Sequence, residues 1–127
     1  MENSTPYLGQ ADHDPAMLAF VKCHLTSFLR WDLLRLLAQH GERWTDAAEA
    51  ARALHKPPAA VENELAALQA EGLVEACPSA SGATAYRMDP LEPSTRVVER
   101  LVVAATRSQE LRQIIVARVL GGARLAS

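Results

Sequence analysis

The 127-residue sequence is short of aromatic rings (5%), of cysteine (two residues) and of any charge excess (net −2), and each shortage narrows what the chain can be. So few rings disfavour a large β-sandwich core, whereas the 49% hydrophobic content, carried mostly by Ala, Leu and Val, suits helices packed through aliphatic side chains. Cys23 and Cys77 are too few to staple a small secreted domain, so a reducing interior and a cytoplasmic location are expected. A near-neutral charge does not by itself announce a polyanion partner and leaves the distribution of charge to decide. No apolar run has the length to cross a bilayer, and the opening MENSTPYLGQADHD lacks the basic-then-apolar order of a secretion signal, so no membrane association is expected.

Chemistry is also missing. There is no glycine-rich phosphate loop and no nucleophile motif, and Asp46 with Glu49 has the spacing of a helix cap better than that of an acid–base pair. Cys23-His24 and Cys77 lack the paired spacing of a metal site and read as reduced, packed or half-exposed thiols. His13, His40 and His55 fall at element ends, where histidine needs no further role. The sequence therefore predicts no enzyme, no cofactor and no metal.

What is present is helical periodicity broken by clear stops. Residues 1–13 are polar and predict a loose tail. Asp14-Pro15 opens a helix, and Leu18, Val21, Leu25, Phe28, Leu29, Leu33, Leu36 and Leu37 carry the apolar spacing to about Gln39. Thr26 or Ser27 could cap a second helix at Phe28, which leaves one helix or two with a bend both open. His40-Gly41 stops the run. Trp44 precedes Thr45, Asp46 and Glu49 as a hydrophobic staple before a capping box, opening a helix over AAEAARAL with a small face of Ala47, Ala50, Ala51 and Leu54. His55-Lys56-Pro57-Pro58 makes the turn, and the next helix places Val61, Leu65 and Leu68 on one face before Gly72 closes it. Segments 73–77 and 84–88 flank ProSerAlaSerGly and predict a hairpin.

Ser94 is expected to cap one long helix over 94–120, since that stretch has no glycine or proline. Val97, Leu101, Ala104, Ser108, Leu111 and Ile115 alternate four- and three-residue spacing, so the face would serve as a seam with a second copy, or pack back on the helix over 14–39. Residues 121–127 would be a frayed end. The organisation read from this is a tail over 1–13, a domain over 14–93, a dimerisation helix over 94–120 and a tail over 121–127.

The order of parts from about Phe28 to Met88, roughly half the chain, resembles the winged helix-turn-helix domains of bacterial transcription regulators, especially the MarR-like and ArsR-like families. The resemblance lies in the leucine-rich first helix, the alanine-rich second opened by Thr45 and Asp46, and the third with Val61, Leu65 and Leu68. It continues through Glu71-Gly72-Leu73-Val74 into a hairpin ending Tyr86-Arg87-Met88. It implies a mainly α fold, a three-helix core with a two-stranded wing and flanking terminal helices. It also implies that the helix over 58–71 enters the major groove of double-stranded DNA. The DNA surface would then comprise Arg52, Lys56, Ala59, Ala60, Asn63, Ala67 and the wing's Arg87, and a homodimer would form through Val97, Leu101, Ala104, Leu111 and Ile115.

The same fold also serves as a dimerisation or protein-docking module, so a protein partner in place of DNA is the alternative. Over residues 56–71 one lysine stands against Glu62, Glu64 and Glu71, a net charge of −2 that suits a phosphate backbone poorly. Arginines gather later, at Arg96, Arg100, Arg107, Arg112 and Arg118, and read as a solvated face with intrahelical ion pairs. Trp31 and Trp44 read as core packing.

Overall fold

Asp14 begins the part of the chain that the structure, a computed structural model, describes: residues 14–126, with side chains through residue 121. The tail expected over 1–13 lies outside the described residues. Asp14 Oδ1 accepts the Ala16 N–H at 2.7 Å, and Pro15 takes the first helical position, where a missing N–H costs nothing, so α1 runs Pro15–His24. The chain then leaves helical geometry for three residues and α2 runs Phe28–His40, so of the two readings left open by Thr26 and Ser27 the structure has two helices. Gly41, at φ 63°, ends α2 in the left-handed conformation that glycine adopts without strain.

The remaining elements are β1 (Thr45–Asp46), α3 (Ala47–Leu54), α4 (Pro58–Ala70), β2 (Val74–Pro78), β3 (Thr84–Met88), α5 (Pro93–Arg107) and α6 (Gln109–Ala126). The fold is a mainly helical winged helix with six helices and three strands among the described residues. The hairpin pairs Val74 with Met88 and Pro78 with Thr84, and its turn closes through Ser79 N–H to Ala83 O at 2.7 Å. A short third strand adds to the expected two: Thr45 pairs with Tyr86 and Asp46 with Ala85, placing β3 in the centre of the sheet. Two residues are too few for an alternation signal, which is why the sequence shows only a helix start there.

The capping box before α3 forms by half. Asp46 Oδ1 accepts the Glu49 N–H at 2.8 Å, but the Glu49 carboxylate turns to Arg43 at 2.7 Å instead of reaching back. Trp44 is half-buried, with the Arg87 guanidinium 4.5 Å from its ring centroid.

One long helix over 94–120 does not form. α5 starts at Pro93, one residue before the expected cap, and the chain breaks at Ser108, whose hydroxyl accepts the Leu111 N–H at 3.0 Å and so caps α6. A serine that bonds a backbone N–H three residues on competes with continued helix, and no glycine or proline is needed for that. Arg112 then donates to Ala105 O at 2.7 Å, satisfying a carbonyl freed at the end of α5. The end expected to fray from residue 121 is helical to Ala126.

The chain forms two compact units. One is Leu29–Arg96; the other joins the segment up to Phe28 with the segment from Val97 onward. The division differs from a boundary at 93/94, because α1 belongs with the C-terminal helices. The core of the first unit is built from Leu33, Leu34 and Leu37 of α2, Ala47, Ala50 and Ala51 of α3, and Val61, Leu65 and Leu68 of α4, closed by Leu73, Val74, Tyr86 and Met88. In the second unit Met17, Phe20, Val21, Leu101, Leu111, Ile115 and Val119 are buried, α1 packs on α6, and Arg118 Nε donates to Val21 O at 3.4 Å.

Candidate nucleic-acid interface

The turn between α3 and α4 is made by His55 in the left-handed conformation (φ 58°), with the Lys56 N–H closing on Ala51 O at 3.0 Å. Pro57 caps α4 without a side-chain hydrogen bond, so the N–H groups of Ala59 and Ala60 begin the helix with no side chain upon them. Arg52, His55 and Lys56 are all exposed around this point and, with Ala48, Ala51, Pro57 and Pro58, line a shallow cleft. Among the described residues none of the three has an ion-pair partner. Two cations and an imidazole beside the positive end of a helix dipole make a surface on which an anion is favoured.

After Pro58 the exposed side chains along α4 are Ala59, Glu62, Asn63, Ala66, Gln69 and Ala70, one stripe at three- and four-residue spacing. Ala60 and Ala67 are half-buried at its edge. The acidic charge that counts against DNA in the sequence is largely not on this stripe. Arg30 of α2, only 4% exposed, holds Glu64 of α4 at 2.6 Å through Nε and Glu71, the C-cap of that helix, at 2.9 Å through Nη1, two carboxylates seven residues and so about two turns apart. The third, Glu62, accepts a hydrogen bond from the Tyr86 hydroxyl at 2.9 Å. Burial pushes the Tyr86 hydroxyl above its ordinary pKa, and the hydrogen bond to Glu62 and the charge of that carboxylate push it the same way.

Sequence reasoning missed Arg30, Gln69 and His55. Arg30 shares the i+3, i+4 and i+7 face of Leu33, Leu34 and Leu37, a signal that the position points inward. Gln69 lies seven residues after Glu62, on the same face.

The wing departs from expectation at Arg87. Its Nε bonds Glu75 Oε2 at 2.8 Å, its Nη1 donates to Glu42 O at 3.2 Å, and its guanidinium covers Trp44. A half-buried arginine so engaged clamps β2, β3 and the loop before β1, and its charge is spent there instead of on a phosphate. The wing tip is left with hydroxyls: Ser79 and Ser81, 2.9 Å apart, and exposed Thr84.

The residues offered by the sequence as a dimer seam are largely covered within the single chain. Leu101, Ala104, Leu111 and Ile115 are buried and Val97 is half-buried. A regular apolar stripe marks the face a helix buries first, and here that face goes to the chain's own core. Among the described residues the large apolar side chains that α5 and α6 leave exposed lie off the stripe, at Val103, Val116 and Leu120. Cys23 is exposed, Cys77 is half-buried, and among the described residues no group of three or more His, Cys, Asp or Glu side chains is placed to hold a metal ion.

Comparison with known proteins agrees with this geometry at the level of the fold. Residues 31–78 match the model of the IclR helix-turn-helix domain, a stretch running from α2 through β2 and covering under half of the chain. That match bears on the helix-turn-helix fold and not on the finer MarR-like or ArsR-like kinship, so what it supports is the coarser resemblance, a winged helix-turn-helix of the transcription-regulator kind. Among solved structures the chain is similar to the crystal structure of MepR, a transcription regulator of the Staphylococcus aureus multidrug efflux pump MepA, with a TM-score of 0.51 and 17% identity over 91% of this chain and 84% of that one. No curated protein matches the sequence.

Proposed function

We propose that this chain is a DNA-binding transcription regulator of the bacterial cytoplasm that lays α4 in the major groove. The observation that carries this reading is the exposed turn of Arg52, His55 and Lys56 around the uncapped start of α4, directly preceding an exposed stripe of short polar and methyl side chains. The turn would hold phosphates; Asn63 and Gln69 are the amides suited to adenine edges, and Ala59 and Ala66 present methyl groups of the kind that meet thymine. The match to the IclR helix-turn-helix model supports it. Regulators of this shape read two half-sites as dimers. A second copy covering Val116 and Leu120 of α6, beside Gln113 and Ala117, would supply that arrangement.

The test is fluorescence anisotropy of the full chain on mixed-sequence duplex DNA. Affinity is expected to fall steeply between about 50 and 200 mM salt, and R52A/K56A is expected to flatten the log–log salt slope by about two. Absence of binding at the lowest salt would sink the proposal. That outcome would favour a second reading, a winged helix docking on a protein, which draws on the absence of any cation from the exposed stripe of α4.

A further inference from the structure

Glu62 stands on the exposed stripe of α4 next to Asn63. A glutamate on a helix surface ordinarily keeps its rotamer freedom, and fixing it costs entropy that some contact must offset. Here the Tyr86 hydroxyl donates to Glu62 Oε2 at 2.9 Å. Tyr86 is itself 3% exposed and sits on the central strand, paired with Thr45 on one side and Ala76 on the other. The sheet thus fixes the tyrosine, the tyrosine fixes the carboxylate, and Oε1 remains for another donor.

We propose, resting on the DNA-binding reading above, that Glu62 is a specificity-determining residue that accepts the N4 amino group of a cytosine in the major groove, with Tyr86 as its positioning residue. A carboxylate only accepts, so it needs a base edge that donates. Cytosine N4 donates without a neighbouring acceptor of its own. Adenine sets N7 beside its N6 amino group, while guanine offers O6 and N7 and thymine O4, all acceptors that repel a carboxylate. The same charge repels phosphates, so its presence on a DNA-facing helix lowers binding to unrelated sequence and widens the ratio of specific to non-specific affinity. Prior fixation by Tyr86 means that little ordering remains to be done when the base arrives.

The experiment is selection of binding sites from randomised duplex DNA by the full chain, followed by anisotropy on the selected site and its single-base variants. Wild type is expected to select one cytosine per half-site at which any other base costs roughly ten- to hundredfold in affinity. Glu62→Gln is expected to change that position from cytosine to adenine, because an amide both donates and accepts. Tyr86→Phe is expected to weaken discrimination at that position alone, with the other positions unchanged. A merely structural role for Tyr86 would instead lower the active fraction for every sequence equally. Salt-sensitive binding with an unaltered sequence preference in Glu62→Gln overturns this inference and leaves the DNA-binding function standing. Absence of any duplex binding by wild type overturns both.

Discussion

The two units hold themselves together by different means. In the unit over Leu29–Arg96 the polar side chains turn to one another: Arg30 to Glu64 and Glu71, Arg43 to Glu49, Arg87 to Glu75, Tyr86 to Glu62, and His40 to Thr45. In the unit formed by the terminal segments one ion pair, Arg100 to Asp14 at 3.7 Å, stands beside arginines that reach backbone carbonyls, Arg112 at Ala105 and Arg118 at Val21, and Phe28, Val103, Val116 and Leu120 remain exposed. Among the described residues the first buries a charge, at Arg30, and leaves one large apolar side chain exposed, Leu91, while the second buries no charge and leaves those four exposed. Water or a wet nucleic-acid groove can satisfy the first kind of surface, whereas the second gains by being covered. The division of work proposed above, reading by one unit and association by the other, follows from that contrast.

The largest expected effect tests whether charge inside the first unit is structural. Arg30 is buried while Glu64 is half-buried and Glu71 exposed, so removing the arginine takes charge-assisted hydrogen bonds from carboxylates that water still partly reaches, and Arg30→Ala is expected to destabilise the chain by about 2 kcal/mol, read from the midpoint of urea unfolding. The combined R30M/E64Q/E71Q variant, which removes the charges together, is expected to recover most of that loss. An R30A midpoint indistinguishable from wild type would show that solvent already screens Glu64 and Glu71, and that the contrast between the units is one of composition only.

A smaller effect is expected from the second unit's surface. Val116 and Leu120 are 42% and 49% exposed, so V116E/L120E removes little from the monomer's core and its unfolding midpoint is expected to stay within about 0.5 kcal/mol of wild type. Sedimentation velocity is expected to show a wild-type dimer and a monomeric variant, since two glutamates per copy would be desolvated in the contact. A dimer that survives the double variant would move the association surface away from α6.

Much of the fold could be read from residues that act locally. Asp14-Pro15, Gly41, Asp46 and the prolines before α4 declare themselves through capping and backbone geometry that need no partner. What could not be read depends on long-range partners. The leucine face marks Arg30 as pointing inward, but its partners, Glu64 and Glu71, stand 34 and 41 residues later and no local pattern names them. Arg87 looks like the wing's free cation until Trp44, Glu42 and Glu75 surround it. The net charge of the segment around α4 is of the same kind, because a sum over a segment carries no information about which face each charge occupies. On α5 and α6 the periodicity was legible, but whether a seam meets the same chain or another copy is a question about area still uncovered, which spacing alone does not contain.

The smallest expected effect concerns a contact that ties the end of α2 to β1. His40 Nδ1 lies 2.7 Å from Thr45 Oγ1, and Arg43 Nη2 lies 3.0 Å from His40 Nε2. Arg43 Nη2 is also 3.2 Å from Nδ1, so the guanidinium, which can only donate, stands against both ring nitrogens, and one of them must stay unprotonated to accept from it, a condition open only to neutral imidazole. Burial lowers the His40 pKa from 6.5, Arg43 lowers it further, and Glu49 opposes them in part. Below about pH 6.5 the unfolded chain therefore binds more protons at this residue than the folded chain does, and stability falls as pH falls. The contribution is complete above the unfolded value and diminishes from there down through the folded one. Thermal melts at pH 7.5 and 5.5 are expected to show a larger drop in Tm for wild type than for His40→Gln, whose amide can donate to Thr45 and accept from Arg43 at either pH. Equal drops would mean that His40 is protonated without loss of the contact, and that polar pairing in this part of the first unit tolerates a charge it is arranged to exclude.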